Sequence, residues 1–81
     1  MRYHYEENGV NMMDMYTGTI CGRNHAGVYV QIDESNEFAF VKNAHSLRNG
    51  TRILGSVKFP PSENRCMTLE IDSILSYADA A

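Results

Sequence analysis

The stretch that decides the fold class is residues 28–42, which read Val28-Tyr29-Val30-Gln31-Ile32-Asp33-Glu34-Ser35-Asn36-Glu37-Phe38-Ala39-Phe40-Val41-Lys42. Its first five residues alternate, so that Val28, Val30 and Ile32 share one face of a predicted strand. Residues 33–36 are polar and favour a turn, because such side chains bond to nearby backbone groups. A second run, from about Glu37 to Lys42, follows the turn. The segment therefore predicts a β-hairpin.

Three further runs of alternating residues flank this hairpin. They predict a first strand over about Met15–Cys21, a fourth over Thr51–Phe59 and a fifth over Arg65–Ile71. Pro60-Pro61 ends the fourth strand, because proline cannot donate a hydrogen bond to a sheet. Asp72-Ser73 predicts the start of a short helical turn that runs through Tyr77.

Five short strands in a chain of 81 residues favour one all-β domain. A sheet of five twisted strands exposes its edges unless it closes, and one barrel buries the alternating faces most economically. We therefore expect a five-stranded OB-type barrel over residues 15–77. An N-terminal extension over 1–14, with disorder expected over 1–10, and a frayed tail over 78–81 complete the expected organisation. A small open barrel of the SH3 kind is the structural alternative.

The composition limits the class of function. A net charge of −3 argues against a strongly basic nucleic-acid binder, yet residues 23–58 carry five Lys and Arg against three Asp and Glu. Cys21 and Cys66 are far apart in the sequence, so reduced thiols are expected rather than a disulfide framework. We expect no metal, no cofactor and no catalytic arrangement, and hence a non-enzyme. The absence of an apolar leader or span favours a cytoplasmic protein without a membrane partner.

The order of turns and apolar positions resembles the S1 domain, an RNA-binding variant of the OB-fold. Four segments carry the resemblance: Thr17-Gly18-Thr19-Ile20, Gly27-Val28-Tyr29-Val30, Gly50-Thr51-Arg52-Ile53-Leu54-Gly55-Ser56-Val57 and Met67-Thr68-Leu69-Glu70-Ile71. Together they cover about residues 16–71. The resemblance implies binding of single-stranded nucleic acid on the face of the second and third strands, flanked by the loops that join strands one to two and four to five.

The candidate binding residues on this surface are aromatic, basic or amide-bearing: Arg23, His25, Tyr29, Gln31, Phe40, Lys42, Arg52 and Arg65. Tyr29 is the candidate for stacking on an unpaired base, with Arg23 and Lys42 near phosphates. Phe38 and Phe40 share one face of the third strand. We expect that face to be the core, since burying two rings contributes several kcal/mol. Phe40 stays a candidate because the other orientation places both rings beside Lys42.

Two functions follow from these observations. The first is weak, salt-sensitive binding of single-stranded RNA or DNA, with RNA preferred. The second is a protein-interaction barrel, which the net negative charge favours, as does Ala26 in a place where S1 domains often carry an aromatic residue. In that alternative the N-terminal extension, with Tyr3, Tyr5 and its methionines, is a candidate contact for a protein partner.

Overall fold

The computed structural model describes residues 15–78 and two short N-terminal strands, β1 (Glu6–Glu7) and β2 (Val10–Asn11). β1 and β2 pair antiparallel as a separate two-stranded sheet. The expected disorder of residues 1–10 falls largely on residues outside this description. Most of the expected frayed tail, residues 79–81, also lies outside the described residues.

The barrel consists of five longer strands that match the five predicted ones in order. They are β3 (Met15–Asn24), β4 (Gly27–Ile32), β5 (Phe38–Lys42), β6 (Arg52–Phe59) and β7 (Met67–Ser76). Around the closed barrel their order is β3-β4-β5-β7-β6. The short β5–β7 pairing is parallel, and the other pairings are antiparallel. The prediction of a closed five-stranded all-β barrel is confirmed.

The core consists of apolar side chains that the strands direct into the barrel. Within residues 15–78, nine of them are buried: Ile20, Val28, Val30, Ile32, Ala39, Val41, Ile53, Met67 and Leu69. Val57 is half-buried against this cluster. The alternation within β4 and in the first half of β6 therefore predicted the inward side chains correctly, because each strand presents one face to the barrel interior.

The expected burial of Phe38 and Phe40 in the core is wrong. Phe38 is 53% exposed and Phe40 is half-buried, whereas Ala39 between them is 0% exposed. The register explains the reversal, because residues opposite each other on neighbouring strands lie on the same face of the sheet. Ala39 lies opposite the buried Val30, and Phe40 lies opposite Tyr29 on the outer face.

Strand replaces the helical turn predicted over residues 72–77. β7 continues to Ser76, and Ser73, Ile74 and Ser76 pair with residues of β6. Two register shifts interrupt the alternation of this segment. Pairing with β6 provides hydrogen-bond partners for the backbone groups along this whole segment. A helical turn capped by Asp72 would provide them for one turn only.

A close approach of β4 and β5 fixes the site region of the barrel. A Cβ atom at Gly27 would collide with the carbonyl oxygen of Val41 and would lie 2.9 Å from the Cα atom of Lys42. Only glycine fits this position without moving one of the two strands. The approach holds Lys42 opposite Gly27, and Gly27 precedes the outward-facing Tyr29 by two positions on β4.

Candidate functional site

A groove of about 370 Å³ lies on the outer surface of the barrel, between the β4–β5 face and the β6–β7 loop. Its volume falls in the range of small-ligand clefts, roughly 300–1,000 Å³. We call it the aromatic groove because three rings line it. Its lining residues are Asn24, Ala26, Tyr29, Phe40, Lys42, Phe59, Asn64, Arg65, Cys66 and Thr68.

Tyr29 and Phe40 form the floor of the aromatic groove. Their ring centroids are 5.2 Å apart and their planes meet at 61°, an edge-to-face pair across β4 and β5. The side-chain amide of Asn24 donates to the Tyr29 hydroxyl at 3.1 Å. The amide oxygen of Asn24 accepts the backbone N–H groups of Ala26, at 2.8 Å, and Gly27, at 3.1 Å. One asparagine thus shapes the β3–β4 turn and holds the Tyr29 ring in place.

Phe59 forms a third aromatic surface of the groove, which the residue pattern did not predict. Alternation along the fourth predicted strand assigns Phe59 to the same face as Ile53 and Val57. In the structure Val57 pairs with Leu69 and Phe59 pairs with Thr68, so Lys58 is an extra residue in a β-bulge. A bulge changes which way the following side chains point. Phe59 is consequently 44% exposed instead of buried.

The cations that line the groove are Lys42 and Arg65. The Arg65 guanidinium lies 6.0 Å from the centroid of the Phe59 ring, a distance at which a cation is attracted by an aromatic face. Backbone hydrogen bonds of 2.9 and 3.3 Å between Ser62 and Arg65 close the tip of the β6–β7 loop and place Arg65 at the rim. Among the described residues that line the groove none is acidic, so their summed charge is positive on a chain of net charge −3.

Arg23 lies away from the aromatic groove. Its guanidinium donates to the carbonyl oxygens of His45, at 2.8 Å, and Leu47, at 2.6 Å, and to the side chain of Asn49 at 2.9 Å. A register shift at Cys21 places Arg23 opposite the buried Val28 rather than beside Tyr29. Arg23 therefore stabilises the β5–β6 linker through hydrogen bonds.

Arg52 is held in a different network. Its guanidinium donates to both carboxylate oxygens of Asp33, at 2.6 and 3.1 Å, and to the Thr19 hydroxyl at 2.8 Å. The hydrogen bonds from Arg52 and Thr17 lower the pKa of Asp33 to about 2, and the bond to Asp33 raises the pKa of Arg52. This network ties β4 to β3 and β6 outside the groove.

The remaining candidates are exposed but do not line the groove. His25 lies in the β3–β4 turn, and Gln31 lies on the outer face of β4 opposite Phe38. Of the eight candidate residues, the structure brings Tyr29, Phe40, Lys42 and Arg65 together. Asn24 and Phe59 line the groove but were not among the candidates. The hydrogen bonds that Asn24 makes in the β3–β4 turn and the bulge that precedes Phe59 are not visible in a residue pattern.

Within the described part of the chain, no three His, Cys, Asp or Glu side chains are grouped so that they could hold a metal ion. No helix in that part is long and apolar enough to cross a bilayer. No family model matches the chain, and the comparisons with curated proteins and with solved structures yield no match either.

Proposed function

We propose that this chain is an OB-type barrel that binds single-stranded nucleic acid in the aromatic groove and has no catalytic role. The observation that carries the proposal is the grouping of Tyr29, Phe40 and Phe59 with Lys42 and Arg65 in one cleft, where none of the described lining residues is acidic. The groove lies on the second and third barrel strands, beside the loops that join strands one to two and four to five. OB barrels bind oligonucleotides on this surface.

Stacking is the interaction that these rings support. Every base has a π face, and a stacked base contributes roughly 1–3 kcal/mol without reading sequence. The bond from Asn24 and the contact with Phe40 hold Tyr29 in position before a ligand arrives. A prepositioned ring loses little side-chain entropy on binding, so more of the stacking energy is kept as affinity.

The charges of the groove predict weak and salt-dependent binding. Two or three phosphates within reach of Lys42, Arg65 and the neighbouring Lys58 would give a slope of log affinity against log salt of about −1.4 to −2.1 for a single strand. The net charge of −3 opposes association at long range, and low ionic strength makes this repulsion stronger. A locally positive cleft can nevertheless attract a phosphate at close range.

The preference for RNA over DNA follows from the resemblance of the sequence to S1 domains. The alternative function, a protein-interaction barrel, draws support from apolar side chains exposed outside the groove, among them Phe38 and Leu75. A protein partner that binds through residues 1–14 belongs to that alternative.

The test is a titration of fluorescein-labelled eight-nucleotide RNA and DNA strands of mixed sequence, followed by fluorescence anisotropy at two salt concentrations. Tyr29→Ala, Phe40→Ala and Phe59→Ala should each weaken binding by about 1–3 kcal/mol if a base stacks on that ring. Tyr77→Ala is the matched control. Tyr77 is 71% exposed and follows the end of β7 remote from the groove. Circular dichroism of every variant checks that the barrel is folded.

The titration separates the two functions. Salt-sensitive binding that weakens with the three groove variants and not with Tyr77→Ala supports the nucleic-acid proposal. Absence of binding at low ionic strength, or binding that none of the groove variants alters, would overturn it. In that event the protein-interaction barrel is the better account of the chain.

A further inference from the structure

A second cleft, of about 350 Å³, adjoins the aromatic groove on the surface of the barrel. Lys42 and Thr68 line both clefts, so the two lie side by side. We call the second one the lysine cleft because it adds Lys58 to Lys42. Its lining residues are Val41, Lys42, Asn43, Ala44, Lys58, Thr68, Leu69, Glu70 and Ile71.

The bulge in β6 is what directs Lys58 into this cleft. Lys58 and Phe59 are consecutive and would point to opposite sides of a regular strand. With Lys58 as the extra residue of the bulge, both side chains are exposed on the outside of the barrel. The side chain of the lysine lines the lysine cleft, and the ring of Phe59 lines the aromatic groove.

Phe59 lines the aromatic groove, and two cations lie near its ring, one from each cleft. The Lys58 ammonium and the Arg65 guanidinium both lie 6.0 Å from the centroid of the Phe59 ring. Arg65 lines the aromatic groove and Lys58 lines the lysine cleft. Cations that line both clefts would therefore lie close to a base that stacks on Phe59. Within residues 15–78, neither Lys42 nor Lys58 forms an ion pair that would have to break first.

We propose that the lysine cleft is a phosphate subsite, in which Lys42 and Lys58 hold a backbone phosphate of the strand whose base occupies the aromatic groove. This inference rests on the proposed function and adds the path of the strand to it. Lysine binds phosphate as a point charge and needs no bidentate geometry, which suits a shallow open cleft. The Asn43 side-chain amide at the same wall adds a neutral donor.

Glu70 gives the subsite a built-in opposing charge. Its side chain is exposed and lines the same cleft as the two lysines. A carboxylate beside a bound phosphate is repelled by it, so Glu70 lowers the affinity that the two lysines alone would give. Neutralising Lys58 and neutralising Glu70 should therefore change binding in opposite directions.

The experiment uses the same labelled eight-nucleotide RNA with the full chain. Lys58→Gln should weaken binding roughly three- to tenfold at low salt and reduce the salt slope by about 0.7, the contribution of one phosphate contact. Glu70→Gln should strengthen binding roughly two- to fivefold. Arg48→Gln is the control for net charge, because it removes one positive charge in the β5–β6 linker and lines neither cleft. Circular dichroism confirms that each variant is folded.

The outcomes distinguish failure of the subsite from failure of the proposed function. If Tyr29→Ala weakens binding but Lys58→Gln and Glu70→Gln behave like Arg48→Gln, the strand takes another path and the phosphate subsite is wrong. If the unmodified chain does not bind the RNA at low salt, the proposed function and the subsite fall together. The subsite is supported if Lys58→Gln weakens RNA binding and Glu70→Gln strengthens it, while Arg48→Gln binds the RNA with nearly the affinity of the unmodified chain.

Discussion

Two adjacent residues of β5 provide a direct test of which face of that strand lies inside the barrel. Phe38→Asp and Ala39→Asp introduce the same charge one residue apart. Ala39 is fully buried between Val30 of β4 and Met67 of β7, whereas the Phe38 ring is more than half exposed. We expect Ala39→Asp to destabilise the domain strongly and Phe38→Asp to destabilise it only slightly.

The magnitude follows from the surroundings of each side chain. The buried residues around Ala39 are apolar except for Thr51 and Thr68, so within the described residues the core offers no cation to pair with a carboxylate. An uncompensated buried charge costs about 3–5 kcal/mol. A domain of this length has a total free energy of unfolding of about 4–12 kcal/mol. Phe38→Asp loses only the buried part of one ring, about 1 kcal/mol.

The assay is thermal unfolding followed by far-UV circular dichroism. Since 1 kcal/mol changes Tm by about 4–8 °C in a domain of this size, Ala39→Asp should lower Tm by about 12–40 °C and Phe38→Asp by less than about 8 °C. Both variants change the net charge by the same amount, so general electrostatic repulsion cannot account for a difference between their Tm values. Similar Tm values for the two variants, or a larger loss for Phe38→Asp, would refute the assigned register of β4 and β5.

Two further predictions concern the networks outside the groove. The pKa of Asp33 is lowered from its usual 3.8 to about 2 by its bonds to Arg52 and Thr17. These bonds therefore contribute stability above about pH 4, and this contribution is lost as the pH falls through about 2. Asp33→Asn should therefore flatten the dependence of Tm on pH between about 4 and 2, and an unchanged profile would contradict this role. Arg23→Met should lower the free energy of unfolding by roughly 1–2 kcal/mol, because three acceptors in the β5–β6 linker lose their donor. Hydrogen exchange over residues 45–49 should accelerate in that variant, while its salt slope for RNA binding stays that of the unmodified chain. A reduced slope would instead indicate that Arg23 contacts phosphate.

The alternation of residue types determined the strands and much of the core. In β4 the two valines and the isoleucine occupy alternate positions and share one face, so only one orientation of the strand buries them. The polar run after Ile32 and the two prolines after Phe59 mark chain reversals through local backbone chemistry. These features depend on neighbours in the sequence, and for that reason the five strands and the closed barrel could be predicted from it.

The orientation of β5 could not be predicted in this way, because both of its faces are apolar. The pattern Phe38-Ala39-Phe40-Val41 buries hydrophobic surface in either orientation, and the larger rings suggested the wrong one. Pairing with β4 places Ala39 and Val41 inside, where the small barrel interior accepts their volume. The volume available is a property of the closed barrel and not of the strand.

The site itself was decided by departures from regular pairing. The bulge at Lys58 exposes Phe59 and directs Lys58 to its own cleft, and the register shift at Cys21 turns Arg23 away from Tyr29. The alternating pattern of a strand contains no signal for an extra residue, since a bulge forms where two partner strands must bend together. The residue pattern was enough to predict that Tyr29 and Lys42 lie on the two strands of one hairpin. Which aromatic rings and cations share a groove with them depends on how five strands close around one small core, and this becomes visible in the folded barrel alone.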